Sequence, residues 1–189
     1  MMIKGVKKEY KKAIATEVFG GRHMPFYIRF YRKHFMPQYN CVYLIRKMNY
    51  YHGLAKSGIK FFDLVALKYR NKLIRKYGID INKNVVIGVG LRIPHPSSII
   101  IGDARIGSNF TILHNTTIGS KREGESLRME KPEIGNNCIM YANSMVLGAI
   151  KVTDHVSIGC FSCLMKDADI SGTYVGCPAE LIKKKKDVE

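Results

Sequence analysis

From Ile81 onward the apolar positions of the chain fall on a stride of six. Ile81, Ile87 and Ile93 open the series. After a one-residue slip it continues at Ile100, Ile106, Ile112 and Ile118, and after a gap at Ile134, Met140, Val146, Val152, Ile158, Leu164 and Ile170. Glycine often follows the aliphatic (Gly88, Gly107, Gly119, Gly135, Gly159), and four residues past it the side chain is often small (Ser97, Ala104, Thr116, Cys138, Ser144, Ser162, Ala168). Six residues supply one short strand and one turn, and three such units close a triangular coil of about 18 residues. The pattern predicts that each repeated aliphatic points inward and stacks on its counterpart one coil away. The gap, SKREGESLRMEKPE at 120–133, is polar and must leave the coil as an excursion, a common place for function on a rigid scaffold.

Before Gly78 the grammar is helical. PFYIRFYRKHF and NCVYLIRKMNYYHG mix aromatics with Arg and Lys at a spacing of three to four. In SGIKFFDLVALKYRNKLIRKYG, a stripe of Ile59, Phe62, Val65, Ala66, Tyr69, Leu73 and Tyr77 predicts one packed face, with Ser57 capping the start and Gly78 closing the end. The expected organisation is a basic helical segment at 1–78, a solenoid at 79–182 with its loop at 120–133, and a basic tail at 183–189.

Composition narrows the function classes. The chain has 189 residues, 46% hydrophobic, enough for one packed domain with an accessory segment. No run is long and apolar enough for a transmembrane helix, and the N-terminus lacks the apolar core of a secretory signal. Five cysteines without framework spacing suit a reducing cytoplasm. Cys160 and Cys163 form a C-x-x-C with no partner pair, so neither a zinc nor a redox site is expected. Of the net charge of +16, nearly all lies in residues 1–78, which hold 18 Lys/Arg against Glu9, Glu17 and Asp63. Such a segment suits peripheral contact with an anionic membrane, an anionic polymer, or simply solvent. Nucleic acid is not expected, because no motif beyond charge supports it.

The chemistry centres on GIDINKNVVIGVGLRIPHPSSIIIG, which holds one aspartate, Asp80, and one histidine, His95, among Ile, Val and Gly. A satisfied surface histidine and a general base are the two readings. Together with IGSNFTILHNTTIGS, KPEIGNNCIMYANSMVLGAIKV and VSIGCFSCLMKDADISGTYVGCPAELI, this stretch resembles the hexapeptide-repeat acyltransferases. Within them it is most like the serine acetyltransferase branch and its relatives that O-acetylate bacterial exopolysaccharides. The resemblance covers residues 78–182. It implies a mainly β fold, a left-handed parallel β-helix with an α-helical N-terminal segment, assembled as a homotrimer with acetyl-CoA as co-substrate and no metal.

The resemblance implies that His95 takes the proton from an acceptor hydroxyl while Asp80 fixes the imidazole's tautomer. Repeat phase adds His114, which stands two residues past Ile112 as His95 stands two past Ile93. The family's CoA groove carries over to Gly119, as a backbone donor near the oxyanion, and to Ala142, Cys160, Lys166, Gly176 and Pro178. Two departures bear on the acceptor: Pro94 replaces an acidic residue before the catalytic histidine, and Lys131 replaces a histidine before Pro132. With Arg92 and Arg128, these favour a neutral or acidic saccharide, in surface-polysaccharide synthesis, over L-serine. Serine O-acetylation, a metal enzyme needing three converging histidines, and a non-catalytic β-helix scaffold stay as alternatives.

Overall fold

The stride of six becomes three parallel sheets wound into a left-handed β-helix. The computed structural model describes residues 2–20, 24–120 and 131–185. Four helices come first: α1 (Met2–Glu17), α2 (Phe26–Phe35), α3 (Pro37–Ala55) and α4 (Phe61–Tyr77). The strands are β1 (Ile79–Ile81), β2 (Val86–Ile87), β3 (Ile99–Ile101), β4 (Arg105–Ile106), β5 (Thr111–Ile112), β6 (Thr116–Gly119) and β7 (Glu133–Ile134). They continue with β8 (Ile139–Met140), β9 (Met145–Leu147), β10 (Lys151–Val152), β11 (Ser157–Ile158), β12 (Cys163–Leu164), β13 (Gly172–Gly176) and β14 (Ala179–Lys184). The first sheet runs β1-β3-β6-β9-β12, the second β2-β4-β7-β10, and the third β5-β8-β11-β13-β14. Among the described strands only β14 runs antiparallel, folding back on β13 as a closing hairpin that extends to Lys184.

Inside, the aliphatics stack in columns. Ile81, Ile101, Ile118, Val146 and Leu164 follow one another up the first sheet, and Ile87, Ile106, Ile134 and Val152 up the second. All are buried. Tight stacking also explains the glycines at the turn between the second and third sheets. A Cβ on Gly107 would stand 2.7 Å from the backbone of Gly135 in the next coil, closer than real contacts allow.

Two members of the predicted series are corrected. Ile100 is 53% exposed, and Ile101 takes the inward place beside Ile81 and Ile118. The slip of one is therefore two opposed changes. Two extra residues sit in the corner between Ile93 and Ile101, and one is missing between Ile101 and Ile106. Ile170 is also exposed. Ala168, bridged to Val152, is the buried residue of that last turn.

Among the helices, Gly78 closes α4 in the left-handed conformation (φ 62°), its N–H bonding back to Ile74. Ser57 does not cap α4; its hydroxyl donates to the Leu54 carbonyl at the end of α3, and α4 begins at Phe61. Ile59, expected in the packed stripe, is half exposed.

The helices seal the open edge of the first coil through one buried ion pair. Arg46 on α3 binds Glu17 on α1, with Nε to Oε2 at 2.8 Å and Nη2 to Oε1 at 2.6 Å. Arg46 also donates to the carbonyls of Ile87 and Gly88, and Glu17 accepts from the N–H groups of Gly90 and Leu91. One coil up, the same backbone positions find partners in the coil beneath: Ile106 O accepts from Gly88, and Asn109 N–H donates to Val89. The first coil has no coil beneath it, and the guanidinium and carboxylate stand in for one. The Glu17 side chain is fully buried, and its Coulomb partner and hydrogen bonds offset a desolvation penalty of several kcal/mol per ion.

Candidate active site

Where the third sheet turns into the first, each coil places one residue in the left-handed region: Ser98, Asn115, Asn143 and Phe161, at φ between 51° and 60°. Backbone bonds tie these turns into a column. Asn115 N–H donates to Ser97, Asn143 N–H to His114, and Phe161 N–H to Ala142. His114, Ala142 and Cys160 therefore stand above one another at one corner. The closing hairpin joins it, since Gly176 N–H donates to the hydroxyl of Ser162.

His95 belongs to the same corner. Arg92 bridges Thr111, and Ile112 N–H donates to the Arg92 carbonyl, so Ile93-Pro94-His95 lies along Ile112-Leu113-His114. The two extra residues follow at Pro96 and Ser97 and push this turn outward. The imidazoles of His95 and His114 meet edge to face, with ring centroids 6.0 Å apart. His95 is exposed. His114 is half buried, and its Nδ1 is shielded with no hydrogen-bond partner among the described residues. A shielded acceptor or donor without a partner is costly, and here it points to a polar group that a ligand supplies. The corner also offers what a thioester's extended arm needs, a strip of small side chains and accessible backbone at Ala142, Cys160 and Gly176, with Pro178 in the exposed hairpin turn.

Other predicted residues lie elsewhere in the chain. Asp80, on β1, is held by Arg70 of α4, which places Nε at 2.8 Å and Nη2 at 2.7 Å from Oδ1. No hydrogen bond among the described residues joins Asp80 to His95, and none occupies Oδ2. Arg70 carried no signal in the sequence, being one of many basic residues on a helix. Gly119 and Lys166 lie at the opposite edge of the first sheet, where Gly148 N–H donates to the Gly119 carbonyl and Lys166 is exposed. A Cβ at Gly119 would meet nothing within 4 Å, so the space beside it is open. Lys131 stands at that far edge too, its Nζ 3.2 Å from Asp103, and is not brought to His95. Arg92 and Pro94 line a cavity of about 220 Å³ with Tyr39 and Glu17, behind the histidine corner. Arg128 and Lys186 lie outside the described residues.

His155 occupies a different corner, in the column Asn109, Asn137, His155 between the second and third sheets, where Lys185 reaches its Nδ1. Among the described residues, no three His, Cys, Asp or Glu side chains are grouped to hold a metal ion. Cys163 is buried and its thiol is pushed up by desolvation and by Cys177 beside it; Cys160 is exposed.

A left-handed β-helix with a histidine pair at one corner defines a hexapeptide-repeat transferase scaffold. No protein-family model matches the chain. It is 36% identical over 134 residues to the serine acetyltransferase of Helicobacter pylori (strain ATCC 700392 / 26695), a match covering 70% of this chain and 75% of that protein. It is 32% identical over 120 residues to the mitochondrial serine acetyltransferase 3 of Arabidopsis thaliana, covering 63% of this chain but only 30% of that protein. Among solved structures, the Neisseria gonorrhoeae serine acetyltransferase in complex with serine superposes with a TM-score of 0.71 at 25% identity, over 94% of this chain and 69% of that one. The Vibrio cholerae enzyme reaches 0.78 at 20% identity, over 98% and 70%, and speaks to the fold alone. The chain belongs to the serine acetyltransferase family.

This corrects the acceptor expected from Pro94 and Lys131. The relatives matched at 32–36% identity are serine acetyltransferases, and polysaccharide O-acetylation has no support among them. The physical reason is that single substitutions were given too much weight. Lys131 is paired with Asp103, so the net charge it adds at its edge of the first sheet is small.

Proposed function

We propose that the chain is an acetyl-CoA-dependent O-acetyltransferase with L-serine as acceptor, working as a homotrimer. The observation that carries the reading is the His95–His114 corner with its unpartnered, shielded His114 Nδ1. His95 removes the proton from the serine hydroxyl, which is essentially un-ionised at neutral pH. A positioned imidazole has a pKa near the working pH and contributes about 10²–10⁴-fold. The oxygen attacks the thioester carbonyl, a C–O bond forms, and the tetrahedral intermediate collapses by breaking the C–S bond. His95 returns its proton to the departing thiolate. The thioester is already activated, so no covalent enzyme intermediate is needed.

His114 donates a hydrogen bond to the acceptor or the thioester, and so acquires the partner it lacks in the free chain. Asp80 turns its free Oδ2 toward His95 once the acceptor is bound, while Arg70 holds the carboxylate in place; catalytic hydrogen bonds often tighten only in the substrate complex. The split of the predicted CoA residues between the two edges of the first sheet supports assembly from more than one chain. One subunit's column of Ala142, Cys160, Gly176 and Pro178 needs a neighbour's edge, with Gly119 and Lys166, to close a groove.

The test is CoA release from acetyl-CoA with L-serine as acceptor, wild type beside His95→Ala. Serine-dependent release that the variant loses is the expected result. Release that is indifferent to serine or unaffected by the variant would overturn the reading.

A further inference from the structure

Helix α2 is amphipathic in the reverse of the usual sense. At about 100° per residue, Phe26, Tyr27, Phe30, Tyr31, His34 and Phe35 share one half of its surface, and Arg29, Arg32 and Lys33 the other. The aromatic half faces outward: Phe26, Tyr27 and Phe35 are 82%, 70% and 64% exposed, and no residue of the helix is buried. The cationic half faces the protein. Arg32 lies 4.6 Å from the centroid of Tyr39, Lys33 lies 4.6 Å from that of Tyr43, and Arg29 lies 5.9 Å from that of Phe19. The outer rings also pack on one another, Phe30 on His34 at 4.5 Å and Tyr31 on Phe35 at 5.6 Å. A contiguous aromatic patch of this kind marks an interaction surface.

Charge decides what covers it. The Asn40 side chain joins α2 to α4, its Nδ2 donating to the Lys33 carbonyl at 2.6 Å and its Oδ1 accepting from Lys76 Nζ at 3.0 Å, which sets the basic end of α4 beside α2. Desolvation and the nearby Lys33, Lys72 and Lys76 hold His34 below its ordinary pKa. Arg75 is exposed on the same stretch of α4. Of the three acids in residues 1–78, Glu17 is consumed by Arg46 and Asp63 by Lys83 and His52, leaving Glu9 against the 16 basic residues other than Arg46 and Arg70, which pair with Glu17 and Asp80. A second copy docking through this face would oppose cation to cation. An anionic bilayer supplies the complementary charge, and its interface is where aromatic rings partition.

We propose that α2 is a membrane-surface anchor, its aromatic face entering the headgroup region of an anionic phospholipid bilayer while Lys72 and Arg75 meet the lipid phosphates. The contact is peripheral, since no helix among the described residues is long and apolar enough to cross a membrane. It does not rest on the catalytic reading. The experiment is flotation of the full chain with phosphatidylcholine vesicles, with and without phosphatidylglycerol, alongside sedimentation velocity. Wild type floats only with phosphatidylglycerol, and less so at high salt. Phe26→Ser/Tyr31→Ser/Phe35→Ser lowers the bound fraction at least about tenfold. Lys72→Glu/Arg75→Glu does so without touching a ring, and both variants keep the wild-type sedimentation coefficient. Two results would overturn the proposal. One is wild type that stays unbound with phosphatidylglycerol present. The other is an aromatic variant that binds vesicles normally but sediments as a smaller assembly, which would assign the face to a second copy.

Discussion

In the inner coils of the solenoid a buried aliphatic meets its own kind one coil above and one below, so the contact made at Ile106 is made again at Ile134 and Val152. In the helical segment nothing is made twice. Its polar attachments to the first coil are each made once: Arg46 and Glu17 on the coil's backbone, Arg70 on Asp80, Asp63 on Lys83 and His52 on Asn84. The difference teaches where each region is vulnerable. A repeated contact spreads the consequence of losing one member over its neighbours, in the manner of a one-dimensional array. A single junction concentrates it.

The largest effect tests the histidine corner of the solenoid. His95→Ala should lower kcat/KM for serine acetylation about 10²–10⁴-fold while leaving the melting temperature near that of wild type, because the side chain is exposed and has no hydrogen-bond partner among the described residues. Next, Glu17→Gln leaves Arg46 buried without a counter-charge and should destabilise the chain by about 3–5 kcal/mol in urea unfolding. By contrast, Ile158→Val, inside the repeat, should cost only about 0.5–1.5 kcal/mol in the same measurement. If the two substitutions cost the same, the contrast between junction and repeat fails.

The smallest effect is a pH dependence at the contact between the helices and the first coil. Hydrogen bonds from Lys83 and His52 hold the Asp63 carboxyl below its ordinary pKa. A depressed carboxylate stabilises the fold fully above the unfolded value, about 4, and loses that contribution as pH falls through the folded value. Asp63→Asn should therefore flatten the decline in stability below about pH 4, read by thermal melts across that range.

Legibility followed the same divide. The stride of six was visible because each coil imposes one demand many times, so a pattern survives occasional exceptions. Ile100 and Ile101 were misassigned because three isoleucines in a row carry no phase, and only pairing with Ile81 and Ile118 reveals which one faces in. His95 and His114 could be brought together because strand register fixes both. Arg70 on Asp80 and Arg46 on Glu17 could not. Each depends on how one helix docks, and no repetition along the chain reports it. Ser57 was read as a cap because its residue type suits one, yet the carbonyl of Leu54 was nearer.

The ion pair beneath the first coil also has an order in time. Glu17 is 73 residues ahead of Gly90, whose N–H it accepts. During synthesis, the carboxylate and the guanidinium leave the ribosome well before the backbone they are to meet, since the chain emerges N-terminus first. The helices can thus be waiting when the first strand edge appears, and that edge need not stand open to another nascent chain. Each later coil arrives on one already finished, so winding proceeds in the direction of translation from a foundation laid first.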